Sequence, residues 1–267
     1  MKLLFVMLMS LLMTQVGYGQ EEAVLSDTRI TNALTLSPGL DYISLKDQTF
    51  SPIVFTGFAP KINIGFSQNR NGHALWHADL AISVGNIDYE NEYFESTYVS
   101  AQFSLNYLSI IKSNRKSKIY VGGQFRSALN LLEYESFASG SWFTTQQLEP
   151  IILYKYEVSA KQSITGNFSF PIIGLIGRPS YAGIDEFVVI NSENISKILY
   201  SRLQIQSFNK LINPNFELVY SYNFRRSRFS ISANYSYLQV NSIRKYFKHE
   251  FGINVGFHLK IGRKNEE

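Results

Sequence analysis

The chain has 267 residues, no cysteine and a formal charge of +4, with 17% of residues charged and 15% aromatic. The absence of cysteine excludes a disulfide framework, thiolate metal ligands, a thiol nucleophile and a lipidated cysteine anchor. The small, scattered basic excess excludes a nucleic-acid-binding surface as the organising feature.

The first element is a leader. Met1-Lys2 is a short positive start, Leu3 to Met13 is apolar except for Ser10, and Gly17-Tyr18-Gly19 supplies a small-x-small cleavage pattern. This predicts a secretory signal peptide over residues 1–19, removed before Gln20. Lys2 leaves with it, which lowers the charge from +4 to +3, and so do all four methionines, Met1, Met7, Met9 and Met13. Residues 20–31, with Glu21, Glu22, Asp27 and Arg29, read as a periplasmic N-terminal tail.

From there the chain alternates apolar and polar residues. Phe216, Leu218, Tyr220, Tyr222 and Phe224 alternate with Glu217, Val219, Ser221 and Asn223. Phe229 to Tyr237 and Phe251 to Ile261 repeat the pattern, and a period of two means strand. Strands are predicted at 32–44, 51–66, 73–87, 96–111, 118–133, 148–158, 163–176, 214–224, 228–240 and 249–261. Polar turns at Gln68–Gly72, Lys112–Ser117, Ala160–Gln162 and Arg225–Ser227 alternate with longer loops at 88–95, 134–147, 177–213 and 241–248.

No amphipathic helices exist to cover the apolar faces. Lipid outside and a hydrated interior satisfy the pattern directly, which predicts an all-β, antiparallel, up-and-down transmembrane barrel of about ten strands, within a range of eight to twelve. The barrel is expected over 32–262, followed by a periplasmic C-terminal tail at 263–267.

Pro38, Pro60, Pro150 and Pro171 fall within or at the ends of these strands, where each removes a ladder donor, so bulges or strand ends are expected there. In the long segment 177–213, Ser192 is placed to cap a short amphipathic helix carrying Ile195, Ile198, Leu199 and Leu203; the alternative is a simple extension of the flanking strands.

The last strand resembles the assembly signal of outer-membrane barrels: a polar residue, a Gly and two spaced hydrophobic positions, as in Glu250, Gly252, Val255 and Phe257 or in Asn254, Gly256, Leu259 and Ile261. The mature chain as a whole resembles the small outer-membrane β-barrels of Gram-negative bacteria. That resemblance implies location in the outer membrane, contact with its lipid and lipopolysaccharide, recognition of the last strand by the barrel assembly machinery, and membership of an envelope protein complex as one role.

His73, His77 and Asp79 are predicted to share one face of the third strand, opposite Trp76, Leu80, Ile82 and Val84. His77 and Asp79 are the catalytic candidates, as base and orienter. His73 and His77 lie about 13 Å apart along a strand, too far to share a metal ion. The remaining inward polar positions are Asp41, Lys61, Arg126, Glu149, Lys155, Glu157, Glu217, Glu250, His258 and Lys260. Opposite charges confined in a small lumen are expected to pair and plug it.

The ten-strand omptin proteases are similar in having an acidic extracellular rim, here Asp88, Glu90, Glu92, Glu95, Asp185 and Glu186. Their Asp–His pair has no counterpart, since no His lies in the loops 88–95, 134–147, 177–213 or 241–248. No phosphate-binding Gly loop, zinc motif or nucleophile elbow is present, and no metal or cofactor is implied.

The reading is therefore a non-enzymatic outer-membrane barrel with a filled lumen and loops that serve surface interaction, scaffolding or an envelope complex. The alternatives are a hydrolase acting on lipid or peptide at the rim, and a narrow channel for small solutes.

Overall fold

The computed structural model describes residues 30–49, 51–70, 73–89, 95–134, 139–178, 193–194, 197, 203–224, 226–241 and 244–261. The leader at 1–19, nearly all of the tail at 20–31, the tail at 263–267 and most of the predicted helix lie outside these residues. Of that helix, Lys197 is helical and its N–H donates to Asn194 Oδ1 at 3.1 Å, so Asn194 makes the cap-type bond.

Thirteen strands form in chain order: β1 (Ile30–Asp47), β2 (Phe55–Arg70), β3 (Ala74–Asp88), β4 (Glu95–Ser113), β5 (Ser117–Tyr134), β6 (Ser139–Glu157), β7 (Gln162–Ser169), β8 (Ile173–Gly177), β9 (Gln204–Ser207), β10 (Leu211–Ile212), β11 (Asn215–Asn223), β12 (Ser227–Val240) and β13 (Tyr246–Ile261). All pairings are antiparallel, and β1 pairs with both β2 and β13, which closes the ring. β7 and β8 form one interrupted wall strand, and β9, β10 and β11 another. The result is a closed ten-strand, up-and-down barrel.

The register gives the barrel its dimensions. One path runs from Tyr42 through Phe58, Asn86, Thr97 and Glu133 to Gly140 on β6. The other runs through Phe251, Tyr235, Phe216 and Phe168 to Ile152, twelve residues beyond Gly140. A shear of twelve on ten strands implies a tilt of about 40° and a backbone radius of about 10 Å.

Outward residues form an apolar belt. On β1 it runs through Leu34, Leu36, Leu40 and Tyr42, each exposed, and the neighbouring strands continue it with Phe58, Ile62, Ile64, Leu80, Ile82 and Phe103. Aromatic pairs lie toward both ends of the strands, Tyr42 with Phe58 and Trp76 with Tyr107. A closed barrel with such a belt is a membrane barrel. β1, with 18 residues, rises roughly 45 Å along the axis, whereas a lipid-facing band is about 25 Å tall, so the wall extends well beyond the belt.

Above the belt the alternation changes meaning while strand direction stays constant. Ile43 and Leu45 point inward and are buried, whereas Ser44 and Lys46 between them point outward. Phe55, Ile87, Tyr98, Leu238 and Val240 repeat this on β2, β3, β4 and β12. There the outside faces water, so the apolar side turns inward, as in any soluble barrel.

Several sequence expectations are corrected. The loop at 134–147 is mostly strand, because β5 continues to Tyr134 and β6 begins at Ser139. The run Thr144-Thr145-Gln146-Gln147 hides its alternation, since both of its faces are polar. The loop at 241–248 is shortened by β13, which starts at Tyr246, and parts of 177–213 form β9 and β10.

Pro38 and Pro60 cause no bulge. Each keeps its partner on one side, Ile62 and Leu40 respectively, and the pairing merely skips it on the other. An antiparallel residue bonds only one neighbour, so a proline costs one ladder bond and leaves the register intact. Pro171 does mark a break, between β7 and β8 and close to Pro150 on β6.

Candidate functional site in the lumen

The upper lumen is filled by apolar side chains: Ile43, Leu45, Phe55, Tyr98, Leu132, Phe143, Leu238 and Tyr246 belong to one buried cluster. Phe143 and Tyr246 stack face to face with centroids 4.0 Å apart. A crevice beside them, lined by Leu45, Tyr98, Asn130 and Phe143 among others, has room for about one water molecule.

Asp47 ties the top of β1 to its surroundings. It accepts from Ser141 Oγ at 2.8 Å and pairs with Arg178, whose guanidinium also donates to the Arg244 carbonyl at 2.6 Å.

Beneath the apolar cluster lies a balanced charge network. Lys61 Nζ sits 3.1 Å from Asp41 and 3.4 Å from Glu250, and Lys248 Nζ sits 2.7 Å from the other oxygen of Glu250. Lys248 also donates to Asn130 at 3.1 Å and to the Tyr98 hydroxyl at 3.2 Å. Two cations meet two anions, which satisfies the condition for burying them. A Cβ at Gly252 would lie 2.2 Å from Asp41 Oδ1, so glycine there lets the carboxylate in.

Across the lumen, Arg126 lies 3.3 Å from Glu149, and Ser169 donates to the same Glu149 oxygen at 2.6 Å.

Lower down, His77 Nε2 lies 3.0 Å from Asp79 Oδ1. Gly65 opposite leaves room for this pair, since a Cβ there would approach Asp79 Oδ1 to 2.4 Å. The hydroxyl beside the pair, Ser104, donates to Asp79 at 3.4 Å rather than to the imidazole. A serine activated for attack would donate to the base, so this geometry describes a held His–Asp pair with the hydroxyl on the carboxylate. His258 is bonded through both ring nitrogens, to Thr35 Oγ1 at 2.7 Å and to Ser230 Oγ at 2.8 Å. Glu217 accepts from Asn167 Nδ2 at 2.7 Å. A second apolar cluster, Leu108, Tyr120 and Ile151, fills this side of the lumen on β4, β5 and β6.

The candidates named from the sequence therefore divide. Asp41, Lys61 and Glu250 form one network; Arg126 and Glu149 a second; His77 and Asp79 a third; Glu217 and His258 each have separate partners. Lys155 and Glu157 pair at 3.4 Å at the end of the barrel where β1 starts, and both are partly exposed. Lys260 is exposed, and its backbone N–H bonds the Arg226 carbonyl. His73 is corrected: it lies in the exposed turn before β3, with its N–H on the Arg70 carbonyl, because β3 begins only at Ala74.

Sequence reasoning missed Lys248, Asp47 and Arg178, which it had placed in connections. Extending the alternation two residues back from Glu250 reaches Lys248, and the odd-numbered inward run of β1 reaches Asp47. Arg178 has no such signal. Among the described residues, no three His, Asp or Glu side chains are grouped to hold a metal ion.

No family model matches the chain, and no curated protein matches it significantly. Solved structures do resemble it. The translocator domain of the autotransporter NalP from Neisseria meningitidis is 8% identical, with 96% of each chain covered and a TM-score of 0.42. Ail of Yersinia pestis, the attachment invasion locus protein, is 7% identical, covering 85% of this chain and 99% of its own, at 0.40. Neisserial surface protein A is 11% identical, covering 86% and 99%, at 0.35. All three are outer-membrane β-barrels. The ring of ten strands in the present chain is fixed by its own pairing.

Proposed function

We propose that this protein is a non-conducting, non-enzymatic outer-membrane barrel whose role is carried at its extracellular end, in surface interaction, scaffolding or an envelope complex. The observation that carries this reading is the filled lumen: the Phe143–Tyr246 stack and its neighbours above, the Lys248–Glu250–Lys61–Asp41 network below. A pathway for solute would have to part both layers. Export by the leader, insertion through the barrel assembly machinery by way of β13, and contact with lipopolysaccharide outside belong to the same reading.

The test is conductance. Purified, refolded protein inserted into planar bilayers is expected to give no steady current. Reproducible ion-selective conductance from the unmodified protein would replace this reading with a narrow channel.

A further inference from the structure

The largest departure from regular pairing in the described wall lies beside Pro171. β7 stays paired with β11 up to Ser169 and Asn215, and pairing resumes between Ile173 of β8 and Ser207 of β9. Three residues, 170–172, span this interval on one side, and seven, 208–214, on the other. Pro171 and Pro214 fall inside it and lack N–H donors. The inward face changes parity across it, from Ser169 and Pro171 to Gly174 and Ile176, and from Gln206 to Leu211 and Asn213.

The break straddles the upper edge of the apolar belt, since Ile212 pairs with Gln239, just beyond Tyr237. Phe170, Ile172, Ile173, Ile212 and Phe216 point outward, between 37% and 49% exposed, much like Leu34 to Tyr42 on β1. Ile205 and Phe208 stand further out, at 74% and 63%. Irregular backbone facing hydrocarbon is costly and persists only where protein covers it or where it lines a water-filled cavity.

Behind the break runs a polar row. Arg126, Gln147, Gly174 and Gln206 are successive register partners on β5, β6, β8 and β9. The three side chains are more than nine-tenths buried, yet Arg126 Nε, Gln147 Nε2 and Gln206 Oε1 have no hydrogen-bond partner. Gln147 is held from its other end by Asn213 Nδ2 at 2.8 Å. Leu211 fills the space above Gly174, where a Cβ would lie 2.5 Å from its Cδ2. Leu211, part of the buried upper cluster, thus occupies the gap that Gly174 leaves between its register partners Gln147 and Gln206.

We propose that this break is a binding site for a single-chain amphiphile with an uncharged amide or hydroxyl head, entering from the bilayer. The chain lies against Ile173, Ile205 and Phe208, and the head displaces the Leu211 side chain. There it accepts from Gln147 Nε2 and donates to Gln206 Oε1. The positive charge of Arg126 is already matched by Glu149, so an ionised head gains no counter-charge at this row.

The test is photo-crosslinking of the full refolded chain in phosphatidylcholine vesicles with a long-chain primary amide bearing a mid-chain diazirine, adducts being mapped by mass spectrometry. Adducts are expected to concentrate at 170–176 and 204–214. Excess unlabelled amide should compete them away, and the ionised fatty acid of equal length should not. The paired change Gln147→Leu and Gln206→Leu should lower labelling by about fivefold or more, the scale of one net hydrogen bond. Leu211→Ala should raise it.

A phosphatidylcholine carrying the same diazirine should label the whole belt evenly. If it concentrates at the break as strongly as the amide, or if the fatty acid competes as well as the amide, the site is ordinary lipid contact and the proposal fails. Should the double variant not fold, the Leu211→Ala and competition measurements decide alone.

Discussion

Lys248 shows how a single side chain can hold a lumen together. Its ammonium is surrounded by Glu250, Asn130 and the Tyr98 hydroxyl, all within 3.2 Å. Removing it leaves Glu250 with only the longer contact to Lys61 at 3.4 Å. Lys248→Met is expected to destabilise the barrel by about 3 kcal/mol, because a buried carboxylate loses its nearer cation. Combining it with Glu250→Gln should recover much of that loss, and equilibrium urea unfolding in lipid vesicles measures both. A loss below about 1 kcal/mol would mean that water screens the pair, as it does at surfaces. His77 and Asp79 were legible in the sequence as same-face neighbours two residues apart. Their role as a held pair, with Ser104 on the carboxylate, was not, because it depends on which residue β4 brings opposite.

Strands carry a different kind of information. A period of two assigns faces without saying what each face meets, and β1 meets lipid from Leu34 to Tyr42 and water above. The adjacent apolar residues Tyr42 and Ile43, or Tyr237 and Leu238, mark where the environment changes. A charge placed in the belt should therefore cost more than one placed at its edge. Ile62→Arg is expected to cost about 2–4 kcal/mol and Ile111→Arg, at the C-terminal end of β4, about 0–1 kcal/mol. Vesicle unfolding titrations of the two variants give the comparison; equal costs would displace the belt. The prolines teach the same lesson at the level of the ladder. Pro38 and Pro60 each lose one bond and keep register, whereas Pro171 sits where the number of residues on the two strands differs.

For the molecule as a whole, closure by β1 and β13 sets which end is which. The turns near Arg115 and Arg226 share an end with the N-terminal start of β1, and the 48–54 and 241–245 connections lie at the other. With periplasmic termini, a single cysteine from Lys245→Cys should react with an impermeant maleimide on intact cells, and one from Arg115→Cys should not. The native chain contributes no thiol to confuse the result. The reverse pattern would invert the topology. The upper cluster also predicts a packing effect: Phe143→Ala should lower stability by about 3–5 kcal/mol, as expected for an aromatic removed from a packed core. A negligible effect in the same unfolding assay would mean that the half of the barrel holding Phe143 is loosely filled.

Strand periodicity, the even strand count and the turn chemistry are local properties, and they determined by themselves that this chain forms a membrane barrel and which residues point inward along most strands. Local pattern carries no information about partners across the lumen. The shear of twelve, the apolar plug of Phe143 and Tyr246 and the Lys248–Glu250–Lys61–Asp41 network were decided only by tertiary structure, as was which of the four suspect prolines marks a break. Each depends on register between strands distant in sequence, and that register is fixed only when the ring closes and every ladder bond has to find its partner at once.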